Sequence, residues 1–162
     1  IKVTALFRLI NSFPTKLILM SQEVTVLVIS PNKDLFDSVS KAAMICGDSV
    51  RVLKRTAVKE AIELFVRLDL VTGNIQIYLD SKSFKAKAQS FMYLLDHDYA
   101  GITRRSVVLI DDASNITSMM SLAIAECVGD VLNYPVLSIE VETAIRKRFP
   151  KLRDSIHSKS IV

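Results

Sequence analysis

The sequence predicts an α/β protein in which five strand–helix units, (βα)5, form a doubly wound open parallel sheet. Short apolar runs rich in Val and Ile alternate along the chain with longer segments of helical periodicity. Such continuously apolar strands are buried on both faces, so helices must cover both sides in a three-layer sandwich. Only four Gly and four Pro occur in 162 residues, which argues against an all-β fold with many tight turns. Five units favour the strand order 2-1-3-4-5, whereas a closed eight-fold barrel needs a longer chain.

The strands are predicted from apolar, β-branched runs of four to eight residues. The first, "VTVLVIS", is apolar almost throughout and ends at a Ser-Pro. The fourth, "SVVLID", is likewise apolar on both of its faces. The five predicted strands are 24–30, 49–53, 75–80, 106–111 and 130–134.

The intervening segments have apolar residues at the spacing of one helix face. Gly47 and Gly129 are expected to end the first and fourth helices, as glycine commonly does. Thr56 and Ser138 are the expected N-caps of the second and fifth helices. The five predicted helices are 32–46, 57–68, 82–95, 114–128 and 138–149.

The composition limits the kinds of site that the chain can hold. The sequence contains neither the Gly-rich loops that bind nucleotide phosphates nor the G-x-S-x-G of many hydrolases, so no cofactor and no enzyme activity are expected. Cys46 and Cys127 fall in apolar helical patterns and are expected to be buried thiols in a reducing compartment. His97 and His157 have no partner at metal-ligand spacing, so no metal site is expected from them.

The ends of the chain differ from its middle. No apolar run approaches the roughly 18 residues of a membrane span, and we expect a cytoplasmic protein. Residues 1–22 are expected to be an N-terminal extension or a vector-derived segment, and 23–149 the domain itself. Residues 150–162 are expected to be a basic C-terminal tail or the start of a linker. The region from 146 onward carries a net charge of +5, which favours a solvated helix end and linker over a phosphate-binding patch.

Polar residues follow three of the predicted strands, at the edge where parallel α/β sheets hold their ligands. Ser30 and Pro31 follow the first strand, Asp80 ends the third, and Asp111 and Asp112 end the fourth. Carboxylates at the ends of adjacent strands could share a hard cation such as Mg²⁺. The other interpretation is that these residues cap the helices that follow, which we favour.

The chain resembles the receiver domains of bacterial two-component response regulators (the CheY-like superfamily, of flavodoxin-like topology) over residues 23–149. The segments that carry the resemblance are "VTVLVISPNKDLFDSVSKAAMICGDSVRVL", "AVKEAIELF" and "AIAECVGDVLNYPVLSIEVETAIRKRF". The last of these is similar to the alanine-rich helix, glycine, short strand, X-Pro and final helix of that family. The resemblance places Asp80 at the phospho-acceptor position.

The rest of the phosphorylation site departs from the family pattern. Where receivers have two acids that bind Mg²⁺, this chain has Ser30 and Pro31; where they have Ser or Thr after the fourth strand, it has Asp111 or Asp112. Tyr134 replaces the lysine that precedes the proline, and its ring is expected to fill the pocket while its hydroxyl bonds Asp80. The resemblance therefore implies a degenerate pocket in which Asp80 is a vestige and Pro135 keeps the bend after the last strand.

The function implied is a pseudo-receiver: a regulatory module in a signalling or transcription-control protein that binds a protein partner, or itself as a homodimer, without phosphorylation. Nucleic acid would be contacted only through an output domain. The resemblance implies an interface on the face formed by the fourth helix, last strand and last helix, with the candidate residues Met119, Met120, Ile124, Glu140 and Arg146. The alternatives are a receiver still phosphorylated on Asp80, and a flavodoxin-like enzyme or small-ligand domain.

Overall fold

The computed structural model of the protein describes residues 23–67, 74–98, 104–112 and 128–152. These residues contain a five-stranded sheet in the order β2-β1-β3-β4-β5, and every neighbouring pair of strands is parallel. The predicted fold class and strand order are therefore confirmed. The strands are Val24–Ile29 (β1), Val50–Arg55 (β2), Ile75–Asp80 (β3), Val107–Asp111 (β4) and Asp130–Asn133 (β5).

Helices cover both faces of this sheet. The predicted fourth helix, 114–128, lies outside the described residues except for Val128. The helices of the described part of the chain are Lys33–Cys46 (α1), Val58–Arg67 (α2), Ser81–Phe84 (α3), Ala86–Asp98 (α4) and Ser138–Arg148 (α5), with a 3₁₀ turn at Arg104–Ser106.

The alternation of side chains along the strands divides the core in two. On one face, Leu27, Leu79 and Leu109 pack with α2 and α4, where the Phe65 and Phe91 rings stack at 6.0 Å between centroids. The opposite face packs against α1 and α5, and its cluster contains the fully buried residues Val26, Tyr78, Val39, Val141 and Cys46. Burial of Cys46 agrees with its prediction, whereas Cys127 lies outside the described residues.

Two predicted N-cap residues are wrong, although the fifth helix starts at 138 as predicted. Helix α5 has Leu137 as its N-cap, so Ser138 is the first helical residue, and the Glu140 carboxylate accepts a hydrogen bond from the Leu137 backbone N–H (3.3 Å). Thr56 lies before α2, where its backbone N–H and hydroxyl both donate to Glu60 (3.1 and 3.0 Å). In both cases a glutamate in the first turn accepts a hydrogen bond from the backbone N–H of a residue that precedes the helix.

Two element lengths also differ from prediction. Strand β2 continues to Arg55 because β1 pairs with it along all six residues. The single helix expected at 82–95 is two helices, α3 and α4, which are separated at Lys85. Lys85 has φ of 49°, a left-handed conformation that lysine rarely adopts and that its sequence does not signal. The break lets α3 begin directly at the end of β3.

Gly129 is required by a close approach of two backbone segments. A Cβ atom at this position would lie 2.2 Å from the carbonyl oxygen of Arg105. The Gly129 N–H donates to the Val107 carbonyl oxygen (2.9 Å), which holds the start of β5 against the start of β4. Glycine therefore permits the last strand to join the sheet. Gly47 follows α1 as predicted, and its N–H donates to the Ala43 carbonyl.

None of the helices in the described ranges is long and apolar enough to cross a membrane.

Candidate functional site

Three polar side chains converge at the carboxyl end of the sheet because of strand register. Val28 of β1 lies opposite Tyr78 of β3, so the residues two positions later, Ser30 and Asp80, face the same side. The same count through β4 and β5 places Tyr134 on that side, since Asp80 pairs with Ile110, and Ile110 with Leu132. The sheet therefore brings Ser30, Asp80 and Tyr134 together.

Asp80 is fully buried, and both of its carboxylate oxygens accept hydrogen bonds. Its Oδ2 atom accepts from three hydroxyls: Ser30 at 2.6 Å, Ser83 at 2.8 Å and Tyr134 at 2.9 Å. Its Oδ1 atom accepts from the Ser83 backbone N–H at 3.0 Å, which makes Asp80 the N-cap of α3. A buried carboxylate with this many donors is compensated for its loss of water.

Ser30 connects Asp80 to the start of α1. While its hydroxyl donates to Asp80, the same oxygen accepts from the Asn32 backbone N–H (2.9 Å). The Asn32 side chain in turn caps α1 by accepting from the Asp34 N–H (2.8 Å). The loop that follows β1 is thus fixed by the hydrogen bonds of Ser30 and Asn32, and Pro31 at its tip is exposed.

Tyr134 makes the expected contact with Asp80, since its hydroxyl donates to Asp80 Oδ2 (2.9 Å). Its backbone N–H donates to the Asp111 carbonyl (2.8 Å), and its bond to Pro135 is cis. Partial burial raises the pKa of its hydroxyl, and the hydrogen bond to the Asp80 carboxylate raises it further. The phenol therefore stays protonated at neutral pH and can act as a hydrogen-bond donor to Asp80.

Asp111 and Asp112 do not join Asp80. Asp111 is one register position beyond Ile110, so its side chain leaves the opposite face of the sheet from Asp80. Asp112 lies at the surface, 3.5 Å from the ammonium of Lys82. Within the described ranges, no three His, Cys, Asp or Glu side chains are grouped as metal ligands would be.

Two residues of the site are absent from the sequence-based prediction. Ser83 supplies both a hydroxyl and a backbone N–H to Asp80, which requires that a helix begin immediately after β3. Lys82 lies over the Tyr134 ring, with its Nζ 4.9 Å from the ring centroid. The "DSKS" sequence contains the cap pattern of an Asp followed three residues later by a donor, which is the signal that could have identified Ser83.

The predicted interface residues are only partly within the described chain. Met119, Met120 and Ile124 lie outside it. Glu140 caps α5 through the Leu137 N–H, and Arg146 pairs with Glu142 one helical turn earlier (3.2 Å). Both charged candidates therefore have partners within their own helix.

Comparison with known proteins gives structural matches only. No protein-family model matches the chain, and no curated protein matches it. Among solved structures, a response regulator from Thermotoga maritima superposes with a TM-score of 0.64 at 13% identity, covering 79% of this chain and 98% of its own. A response regulator receiver domain protein from Clostridium thermocellum has a TM-score of 0.61 at 16% identity, covering 86% and 99%.

The chain has the receiver-domain fold. The chain is also similar in structure to a protein described as the CpaE2 pilus assembly protein of Sinorhizobium meliloti. The TM-score is 0.57 at 19% identity, and the match covers 78% of this chain and all of that one. At these identities the likeness establishes the fold. Asp80 is the last residue of β3, which is the central strand of the sheet, and it therefore lies at the middle of the sheet's carboxyl edge.

Proposed function

We propose that this receiver-like domain is a protein interaction and regulatory module that works without phosphorylation, and that it is not an enzyme. The observation that carries the proposal is the hydrogen bond from the Tyr134 hydroxyl to Asp80 Oδ2 (2.9 Å). A phosphoryl acceptor needs a carboxylate oxygen that is open to an incoming group. Here Oδ2 already accepts three hydroxyls, and Oδ1 accepts the N–H that caps α3.

The charges that phosphoryl transfer needs also support the proposal. Stabilising the transferring group takes cations positioned on its oxygens. The ammonium of Lys82 lies over the Tyr134 ring and pairs with the Asp112 carboxylate. At the end of β1, Ser30 is a neutral hydrogen-bond donor and Pro31 offers no side-chain ligand. Tyr134, Ser30 and Ser83 therefore use Asp80 as a structural anchor.

An interaction surface is available next to this anchor. Leu137 and Ile139, which are 55% and 60% exposed, stand at the start of α5, a few residues after Tyr134. Exposed aliphatic side chains beside Glu140 and Arg146 suit a modest interface with a protein partner or a second copy of the chain. The similar pilus assembly protein indicates that this fold also occurs in proteins described by an assembly role. We place the module in the cytoplasm.

The decisive experiment is incubation with acetyl phosphate and Mg²⁺, followed by intact-mass spectrometry. The wild type is expected to gain no phosphoryl group, while a receiver domain with the complete acidic pair and lysine, treated in parallel, is labelled. Asp80→Asn is the matched control. A phosphoryl adduct on the wild type that is absent from Asp80→Asn would refute the proposal.

The same experiment decides the second candidate, a receiver that is still phosphorylated. The observation in its favour is the position of Asp80 at the end of β3 in a receiver-like sheet. It requires that the Tyr134 ring leave the pocket and that Mg²⁺ bind without the acids after β1.

Self-association is tested with the double variant Leu137→Ser, Ile139→Ser, with Met44→Ser as control, because Met44 is 76% exposed on α1. If the wild type is a dimer by light scattering at high protein concentration, the double variant is expected to be a monomer and Met44→Ser to remain a dimer. A dimer that is unaffected by the double variant uses another surface, and a monomeric wild type requires a different protein as partner.

A further inference from the structure

A cleft lies at the amino end of the sheet, on the edge opposite to Asp80. Its volume is about 460 Å³. It is bounded by the start of β3, the turn before β4, the start of β5 and the end of α5, and is lined by Gln76, Arg105, Val128, Gly129, Asp130, Ala144, Lys147 and Arg148. Gln76 and Asp80 are four residues apart on β3, which at strand rise corresponds to about 13 Å. The cleft is therefore separate from the Tyr134 site.

The charge around this cleft is positive. Arg105, Lys147 and Arg148 line it together with a single acid, Asp130. The Asp130 carboxylate accepts a hydrogen bond from the backbone N–H of the next residue, Val131 (2.9 Å). Three cations against one carboxylate in a concave, partly desolvated site create a potential that attracts anions.

Arg148 carries a hydrogen-bond donor that the protein does not use. Its Nη2 donates to the Ser106 hydroxyl (3.0 Å), which fixes the guanidinium beside the 3₁₀ turn. Its Nε is buried and has no hydrogen-bond partner. An unsatisfied buried donor on a charged group is unfavourable. Because Arg148 lines the cleft, a small shift of its side chain would let an acceptor that enters the cleft pair with Nε.

The floor of the cleft is rigid and does not compete for this donor. The Gln76 side chain is 3% exposed; its amide N–H donates to the Ala144 carbonyl (3.1 Å), and its Oε1 accepts the Tyr78 hydroxyl (2.8 Å). Both ends of the Gln76 amide are therefore engaged within the protein. Val128 and Ala144 contribute apolar side chains to the lining of the cleft.

From this arrangement we propose that the cleft is a binding site for a small phosphate monoester. Two guanidinium groups and one ammonium match a tetrahedral dianion better than a single carboxylate, because arginine presents its donors to pairs of oxygens. The cleft volume is within the range of small-molecule sites, so it can hold an organic group attached to the phosphate. This proposal is independent of the function proposed for the Asp80 site.

The test is a titration followed by ¹H–¹⁵N NMR, with inorganic phosphate and adenosine monophosphate as probes. Saturable shifts are expected at the Gly129 and Asp130 amides, which line the cleft, and none at Ser83 beside Asp80. Sodium chloride at matched ionic strength should not reproduce them. Tighter binding of adenosine monophosphate than of inorganic phosphate supports a monoester site, whereas shifts by inorganic phosphate alone would overturn the proposal.

Variants make the test specific. Arg105→Gln with Lys147→Gln removes two exposed cations and should weaken binding at least tenfold, whereas Lys59→Gln, an exposed lysine on α2, should leave it unchanged. Arg148→Lys keeps the charge but removes Nε, and it should also weaken binding while circular dichroism remains that of the wild type. Non-saturating shifts, equal loss in Lys59→Gln, or tighter binding of a poly-glutamate peptide than of either phosphate would overturn the proposal.

Discussion

Replacing Ser30 by alanine should destabilise the protein, because this hydroxyl joins the end of β1 to Asp80. Ser30 is fully buried, and its hydrogen bond to Asp80 Oδ2 is short, at 2.6 Å. A hydrogen bond to a charged group contributes about 1.5–3 kcal/mol. Because Oδ2 keeps its bonds from Ser83 and Tyr134, the expected loss of unfolding free energy lies in the lower half of that range, at about 2 kcal/mol. Asn32, whose N–H loses its acceptor, is partly exposed.

Urea unfolding followed by far-ultraviolet circular dichroism measures this loss. The midpoint should fall while the slope with urea stays unchanged, since the same surface is exposed on unfolding. A matched control is Ser90→Ala, which removes an exposed hydroxyl that bonds only the Ala86 carbonyl in its own helix (3.3 Å). The control should stay within about 0.5 kcal/mol of the wild type. If Ser30→Ala is as stable as Ser90→Ala, the polar cluster around Asp80 does not hold the sheet edge together.

Three further predictions concern other parts of the same fold. Tyr134→Phe should lower the unfolding free energy by only about 1 kcal/mol, less than Ser30→Ala, because its hydrogen bond to Oδ2 is longer than that of Ser30 (2.9 against 2.6 Å) and Oδ2 keeps the bonds from Ser30 and Ser83; equal losses in urea unfolding would contradict this. Gly129→Ala should cost about 2 kcal/mol or more, since its Cβ would lie 2.2 Å from the Arg105 carbonyl oxygen, and a wild-type melting temperature would show that the close approach is absent. Above about pH 10, the unfolding free energy should fall by about 1.4 kcal/mol per pH unit through Tyr78, because burial raises the pKa of its hydroxyl and only the unfolded chain then releases the proton. The pKa of the Tyr134 hydroxyl is also raised, so Tyr134 adds to this fall. Tyr78→Phe should therefore reduce the slope in urea titrations at several alkaline pH values by about 1.4 kcal/mol per pH unit, and a slope that persists unchanged would assign it to other groups.

The sheet could be predicted from the sequence because its central strands are unambiguous. Strands β1, β3 and β4 are buried at every position, and only parallel strands covered on both faces have that composition. The contact between Tyr134 and Asp80 was also expected, because the resemblance to receiver domains places Tyr134 where that family has a lysine beside the phospho-acceptor. Periodicity and topology thus predicted the edge of the sheet at which the site lies, and the resemblance added Tyr134.

The finer features depended on geometry that single residues do not signal. Lys85 adopts a left-handed conformation that is usual for glycine, so the break between α3 and α4, and with it the contacts of Ser83, could not be anticipated. At the start of α5, Glu140 bonds the Leu137 N–H and displaces the cap by one residue from Ser138. The amino-end cleft unites residues from four separate elements, which a linear pattern does not reveal.

A crystal structure obtained with Mg²⁺ and beryllium fluoride, a mimic of the phosphoryl group, tests the central claim most directly. That claim is that Asp80 is a structural anchor whose Oδ2 atom is occupied by the hydroxyls of Ser30, Ser83 and Tyr134. The account predicts that the Tyr134 hydroxyl remains within hydrogen-bond distance of Asp80 and that no beryllium is bound to the carboxylate. Density for beryllium fluoride on Asp80, with the Tyr134 ring moved out of the pocket, would contradict it.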